Sequence, residues 1–180
     1  MNEYVYKLNL PSIQKILLPG KYEELFSENT SNGTFSKENP LSYLKQEYTT
    51  LKQYKWDSSL LFYKSNGSEG YLHSDLPKCT WGINYINEGL GIIKYYDPND
   101  IGDIKLTPDS IGNIRQNYDN PLGIKPLKIY AMHAGVYLTN VGVPHMPAGY
   151  GKRYSLSIRS LDHQKDSWES VVENFKEYIV

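Results

Sequence analysis

Apolar and polar residues alternate along most of the middle of the chain, a pattern typical of half-buried β-strands. We predict strands over residues 4–8, 60–64, 79–87, 92–96, 128–132, 135–140 and 153–159. Pairs such as Asn66-Gly67 and Asp97-Pro98 mark turns between them. Many short strands separated by such turns favour a β-sandwich or a β-barrel.

Helical spacing is found toward the ends of the chain. Residues 167–178 predict a helix whose apolar face is formed by Trp168, Val171, Val172 and Phe175. Two shorter segments near the N-terminus, 12–18 and 40–48, are also compatible with helices. Residues 97–126 are rich in Asp, Asn, Gly and Pro and show little periodicity, so we predict an active-site lid or a substrate loop there.

The order of these elements predicts a single, mainly β domain over residues 1–180. We expect a jelly-roll core over about residues 57–160, N-terminal decoration over 1–56 and a C-terminal helix over 161–180. A chain of 180 residues can bury a sizeable core in one domain. The 17 tyrosines fit partly wet strands and pockets, because each tyrosine joins an apolar body to a polar tip.

Charge and cysteine content narrow the classes of protein. The net charge is −1 and no basic run is present, so nothing points to nucleic acid or a membrane surface. Cys79 is the only cysteine, which excludes an internal disulfide and a cysteine-based zinc site. No apolar stretch approaches the ~20 residues of a membrane span, and the first residues lack the features of a signal peptide. We therefore expect a cytoplasmic protein.

Candidate metal ligands begin with His73 and Asp75. On extended backbone the two side chains of a His-x-Asp pair point the same way, so imidazole and carboxylate can bind one ion together. The pair alone is a weak signal, because a hydrogen-bonded pair on a surface turn has the same spacing. Of the other histidines, we interpret His133 as a strand residue and His163 as a solvated one.

His145 supplies the third candidate ligand, directly after a predicted strand. Two histidines and one carboxylate, with the remaining coordination positions open, form the facial arrangement of Fe(II) oxygenases. A zinc hydrolase could use the same three ligands with a bound water. Ligand type alone leaves both chemistries open.

Arg153 and Ser155 favour the oxygenase reading. They would share one face of the last strand, where an arginine fork beside a hydroxyl forms a good receptor for a carboxylate. Such a receptor beside a metal suggests a keto acid that chelates the metal at one end and is anchored at the other. Alternatively, Arg153 could form only an ion pair at the surface. Lys152 or Arg159 could also anchor the carboxylate in place of Arg153.

Residues 72–85, and 138–145 followed by 151–157, resemble the two metal motifs of the Fe(II)/2-oxoglutarate-dependent oxygenase superfamily. The chain is similar to its small bacterial and phage members, some of them prolyl or aspartyl/asparaginyl hydroxylases. The resemblance implies a double-stranded β-helix and a dioxygenase that consumes 2-oxoglutarate and O2, releases succinate and CO2, and hydroxylates a substrate. It assigns Fe(II) to His73, Asp75 and His145, and assigns 2-oxoglutarate to Arg153 and Ser155, with Tyr63 and Asn84 as looser additions.

Two other classes of protein remain open. A non-catalytic jelly-roll binding or structural module would share the fold without the chemistry. A cupin-like metalloenzyme would usually carry further His and Glu ligands near the first histidine, and the sequence shows no such cluster. The substrate of an oxygenase could be a protein side chain, a free amino acid or a small metabolite, and the sequence does not indicate the oligomeric state.

Overall fold

The computed structural model describes residues 3–10, 49–56, 61–65, 69–77, 79–108, 114–118, 123–160 and 166–180. The helices expected at 12–18 and 40–48, and also His163, lie outside these ranges. Among the described residues, no helix has the length and apolar character needed to cross a membrane.

The described residues form nine strands and two α-helices. In chain order the elements are β1 (Val5–Leu8), α1 (Thr49–Lys52), β2 (Leu61–Ser65), β3 (His73–Pro77), β4 (Trp81–Tyr95), β5 (Ile104–Pro108), β6 (Ile114–Tyr118), β7 (Lys128–Met132), β8 (Gly135–Asn140), β9 (His145–Arg159) and α2 (Trp168–Phe175). A short 3-10 turn, Lys176–Tyr178, follows α2.

Two long strands, β4 and β9, organise the fold. They pair antiparallel along most of their length, and the ladder shifts register around Glu88, where Gly89 and Gly151 have φ angles of 84° and 69°. Bulges of this kind bend strands, and positive φ favours glycine. The part of β4 before the shift pairs with β8, and the part after it pairs with β7. Each long strand therefore contributes to two antiparallel sheets.

The first sheet contains β1, β8, the start of β4, the end of β9, and β2. The second sheet contains β7, the end of β4, the start of β9, β3, β6 and β5. The outer face of the first sheet is covered by apolar side chains of α1, α2 and the residues that follow α1. There Trp81 has ring contacts with Tyr54 at 4.7 Å and with Phe175 at 5.8 Å between centroids.

The inner faces of the two sheets pack against each other. Ile86 and Tyr137 of the first sheet form one buried cluster with Ile93 and Tyr95 of the second. Because side chains alternate across a strand, the polar residues that share the parity of Ile86 in β4 also point inward. The interior therefore contains both this apolar cluster and inward-pointing polar side chains of β4.

The predicted mainly β jelly roll with a C-terminal helix is confirmed, and several details were wrong. Residues 97–126 are not a structureless loop, since β5 and β6 form a hairpin within them. The predicted strands 79–87 and 92–96 are one continuous strand. The last strand, predicted only from residue 153, begins at His145, because the whole segment from His145 to Arg159 belongs to β9. Glycine and polar residues interrupt both patterns at the bulge, and strands that bend there look in sequence like separate strands.

Candidate metal centre

His73 and His145 lie side by side on the inner face of the second sheet. They are part of a row of directly paired residues that runs Tyr95, His145, His73, Asn117, Lys105 across strands β4, β9, β3, β6 and β5. Residues directly opposed in antiparallel strands point to the same face. Strand pairing thus brings together two histidines that are far apart in the sequence, and their ring centroids are 4.5 Å apart.

Asp75, two residues after His73 on β3, is the third member of this group of candidate ligands. One ligand atom from each of His73, Asp75 and His145 lies within 4.8 Å of the others, a spacing that could hold one metal ion. Nε2 of His73 is 3.6 Å from Oδ1 of Asp75. The backbone N–H of Asp75 donates to the carbonyl oxygen of Val141 at 2.8 Å, which fixes the strand at this point.

The backbone orients both imidazole rings. Nδ1 of His73 donates to the carbonyl oxygen of Tyr71 at 2.8 Å, and Nδ1 of His145 donates to that of Val143 at 2.9 Å. In each case the acceptor is the residue two positions earlier in the chain. Because a carbonyl oxygen only accepts, the proton is on Nδ1 and the lone pair is on Nε2. Hydrogen bonds of this kind hold metal-binding histidines in the required tautomer.

The protonation states also suit a metal. Burial lowers the pKa of His145 to about 3, and burial likewise lowers the pKa of His73. Burial would raise the pKa of Asp75, but the positive charge of Arg159, with a smaller contribution from Arg115, outweighs it and the pKa falls. At neutral pH the site therefore offers two neutral imidazoles and one carboxylate, which are the forms that bind metal. These residues fit a divalent cation such as Fe(II).

Arg159 contacts the carboxylate of Asp75 from the first sheet. Its Nε lies 3.2 Å from Oδ2 of Asp75, while Oδ1 of the same carboxylate faces His73. Gly82 makes room for this side chain, because a Cβ at position 82 would collide with the Arg159 guanidinium and lie 2.9 Å from the carbonyl oxygen of Ile158. One carboxylate oxygen is thus held by the arginine, and the other is directed toward the histidines.

Asn84, which we expected to bind a cofactor, supports Arg159 in the structure. Its Oδ1 accepts from Nη1 of Arg159 at 3.3 Å and from Oγ of Ser157 at 2.5 Å. Its Nδ2 donates to Oγ1 of Thr139 at 2.5 Å. Both ends of the amide are therefore engaged within the protein.

Arg153 lies on the inner face, away from the histidines. Its guanidinium crosses Gly91, where a Cβ would be 2.8 Å from Nη1, and the same Nη1 donates to the carbonyl oxygen of Ala148 at 3.4 Å. Gly91 is paired with Gly149, four residues along β9 from His145. At ~3.3 Å per residue, that position is about 13 Å from the histidine row.

Ser155 and Tyr63 are brought opposite each other by the pairing of β2 with β9. Ser155 is half-buried and is also paired with Ile86 of β4. The side chain of Tyr63 is outside the described part of the structure. His133, which we interpreted as a strand residue, is exposed in the connection between β7 and β8.

Sequence reasoning missed the part played by the arginines. The chain has only three, Arg115, Arg153 and Arg159, and all three belong to the inner face. Arg115 shares the parity of Asn117, which is opposite His73, and its charge lowers the pKa of both His73 and Asp75. Because arginine is rare in the sequence, each arginine could have been considered a candidate functional residue. Arg115 lies in the region that we predicted to be a loop, where strand alternation could not be used to predict the direction of its side chain.

No protein-family model matches the sequence, and no curated protein matches it. Several solved structures are similar in fold. A cupin-2 domain-containing protein from Shewanella frigidimarina NCIMB 400 is 15% identical, with 82% of this chain and 97% of that chain covered and a TM-score of 0.44. E. coli ycfD is 12% identical, with 96% and 57% covered and a TM-score of 0.47. Hydroquinone 1,2-dioxygenase from Sphingomonas sp. TTNP3, solved with 4-hydroxybenzoate bound, is 14% identical, with 57% and 58% covered and a TM-score of 0.36.

Proposed function

We propose that this protein is a dioxygenase that uses Fe(II) and 2-oxoglutarate. The observation that carries the proposal is the convergence of His73, Asp75 and His145, with both Nε2 lone pairs free and the three ligand atoms within 4.8 Å. Two histidines and a carboxylate on one side of an ion leave its other positions open to a cosubstrate and oxygen. No fourth His, Cys, Asp or Glu joins this cluster among the described residues.

In this proposal His73, Asp75 and His145 hold the iron, and Arg159 fixes the carboxylate of Asp75. Bound iron would supply the activation of O2 next to 2-oxoglutarate. The balanced reaction converts 2-oxoglutarate, O2 and a substrate R–H into succinate, CO2 and R–OH. Tyr95, whose hydroxyl donates to the carbonyl oxygen of Asn140 at 2.8 Å, closes the apolar side of the site against water.

The cosubstrate assignment depends on Arg153 and Ser155. Both belong to the inner face of β9, and Arg153 offers a guanidinium fork that suits a distal carboxylate. Gly91 leaves room for this guanidinium to lie across β4. Because Arg153 is about 13 Å along the strand from the histidine row, we expect 2-oxoglutarate to draw its guanidinium toward the metal.

The test measures binding and turnover separately. Wild-type protein should be stabilised by Mn(II), and further by 2-oxoglutarate once Mn(II) is bound, in a thermal-shift assay, because a ligand stabilises the state that binds it. With Fe(II) and O2 it should release succinate. His73→Ala and Asp75→Ala should abolish both effects, whereas His133→Ala, at an exposed histidine, should retain them.

Two results would overturn the proposal. In one, Fe(II)-loaded wild-type protein neither binds 2-oxoglutarate nor releases succinate. In the other, His133→Ala loses as much activity as His73→Ala. Tight Zn(II) binding without any response to 2-oxoglutarate would instead support a hydrolytic metal site.

A further inference from the structure

Arg115 lies on the inner face at the side of the metal centre away from Arg153. It is two residues from Asn117 on β6, and Asn117 is paired with His73. A register shift between Ser74 and Pro77 in the β3–β6 ladder pairs Arg115 with Pro77, so Arg115 lies at the Asp75 end of β3. Arg153 lies at the opposite end, beside the pair of Gly91 and Gly149. The two arginines therefore flank the histidine pair along the strand direction.

The polar atoms of this strand are incompletely paired. Nε of Arg115 and Oδ1 of Asn117 are both shielded from solvent, and neither has a hydrogen-bond partner among the described residues. The Nδ2 group of Asn117 donates a hydrogen bond to Oγ1 of Thr107, so the nitrogen of the amide has a partner and the oxygen has none. Buried polar groups are almost always hydrogen-bonded, so two exceptions side by side at a metal centre indicate a missing partner.

The charges around Arg115 also indicate a missing partner, and specifically an anionic one. Among the described residues no carboxylate forms an ion pair with Arg115, whereas Arg159 has Asp75. This edge of the site thus combines a guanidinium and an amide oxygen without a partner, which together complement an anion that carries an N–H donor.

We propose that Arg115 and Asn117 form the substrate subsite and that it takes a small amino acid, with its carboxylate on Arg115 and its ammonium group on Asn117. This assignment rests on the oxygenase function proposed above, since it places the substrate on one side of the metal and the cosubstrate on the other. A guanidinium fork matches a carboxylate in two hydrogen bonds, and the bare amide oxygen accepts one from the ammonium. The side chain of the amino acid would then extend over His73 toward the open metal positions.

The test uses the arginine Nε–H signals in NMR spectra of the full-length, 15N-labelled protein loaded with Zn(II). Three arginines give three signals, each assigned from the Arg→Lys variant that removes it. The probes are the twenty standard L-amino acids, each compared with its carboxamide, and 2-oxoglutarate is titrated separately. We expect at least one amino acid to shift the Arg115 signal while its carboxamide does not, and 2-oxoglutarate to shift the Arg153 signal instead. Arg115→Lys should weaken that amino acid's binding by at least about tenfold, because it replaces a paired fork with a single point charge.

The outcomes separate the two proposals. Should 2-oxoglutarate shift Arg153 while no amino acid shifts Arg115, the subsite is wrong and the oxygenase function stands. Should 2-oxoglutarate shift Arg115 and leave Arg153 unchanged, Arg115 is the cosubstrate anchor and the subsite is again wrong. A response of Arg115 to an amino acid without any response to 2-oxoglutarate supports the subsite and overturns the oxygenase. Equal shifts with acids and carboxamides would exclude carboxylate recognition.

Discussion

Arg159 binds Asp75 across the interior of the molecule, with its Nε 3.2 Å from Oδ2 of the carboxylate. The arginine belongs to the first sheet and the aspartate to the second, so the contact joins the two sheets at the candidate metal centre. Both side chains are mostly shielded, with 19% and 22% of their surface exposed. Without a metal, Arg159 is the principal positive charge that stabilises the Asp75 carboxylate.

We expect Arg159→Met to destabilise the metal-free protein by about 3 kcal/mol, because it leaves a buried carboxylate without its partner. Mn(II) should recover more stability in this variant than in wild type, since the ion replaces the lost charge. Urea denaturation with and without Mn(II) measures both effects. Lys176→Met is the matched control, because the Lys176–Glu173 pair is exposed and its loss should change the stability little. If Mn(II) restored both proteins equally, Arg159 would not be coupled to the metal site.

Gly91→Ala tests the position of Arg153 without removing it. The new Cβ would be 2.8 Å from Nη1 of Arg153, so the end of this flexible side chain must move. We expect a change in unfolding free energy below about 1 kcal/mol, because the nearest backbone atom, the carbonyl oxygen of Met132, would be 3.5 Å from the new Cβ, an ordinary van der Waals distance. The affinity for 2-oxoglutarate should fall while the affinity for Mn(II) stays the same, and calorimetric titration measures both. Unchanged 2-oxoglutarate affinity would argue against Arg153 as the anchor.

The buried histidines make the metal-free protein sensitive to acid. Burial lowers the pKa of His145 to about 3 from an ordinary value of 6.5. Below pH 6.5 the unfolded chain binds a proton that folded His145 excludes, so stability is lost as the pH falls from 6.5 toward 3. Between pH 7 and pH 5 this amounts to roughly 2 kcal/mol from His145. Asp75 does not contribute in that window, because its lowered pKa affects stability only at more acidic pH.

Urea denaturation of the metal-free protein at pH 5, 6 and 7 measures this loss. His145→Gln should flatten the dependence, since glutamine does not titrate. A variant with the same loss of stability between pH 7 and pH 5 as wild type would show that the acid sensitivity arises elsewhere.

The C-terminal helix should be essential for stability and unimportant for the metal. Phe175 is fully buried and stacks on Tyr54 with 5.9 Å between ring centroids. Phe175→Ala should cost about 3–5 kcal/mol, because it opens a cavity on the outer face of the first sheet. Val180→Ala, at a position 72% exposed, should cost little. Below its melting temperature Phe175→Ala should bind Mn(II) as tightly as wild type, and a weaker affinity would show that the outer core and the inner site are coupled.

The strands with one apolar face were predictable, and so were the three candidate ligands. The alternation in β4 and β8 and the spacing of Trp168 and Phe175 in α2 follow from burial of one face. Strand β5 was not predicted, and in the structure its residues Ile104 and Leu106 are 56% and 64% exposed. A strand at the edge of a sheet buries little, so its alternation does not stand out from that of a loop.

The orientation of the arginines could not be predicted from spacing. Arg153 and Arg159 share a parity, and nothing in their spacing directs one toward Gly91 and the other toward Asp75. That choice depends on Gly82 and Gly91, which are opposite these side chains only after β4 and β9 have paired. Information of this kind is carried by strand register, which a single sequence does not reveal.

Within the named strands, the ladder between β3 and β9 contains a single residue pair, and both of its members are histidines. An ion that binds both side chains would therefore act as a covalent staple acts in other small domains, closing a loop of 72 residues between positions 73 and 145. The hairpin of β5 and β6 is attached to the rest of the sheet through β3. A bound ion would therefore tie β3, and with it β5 and β6, to β9.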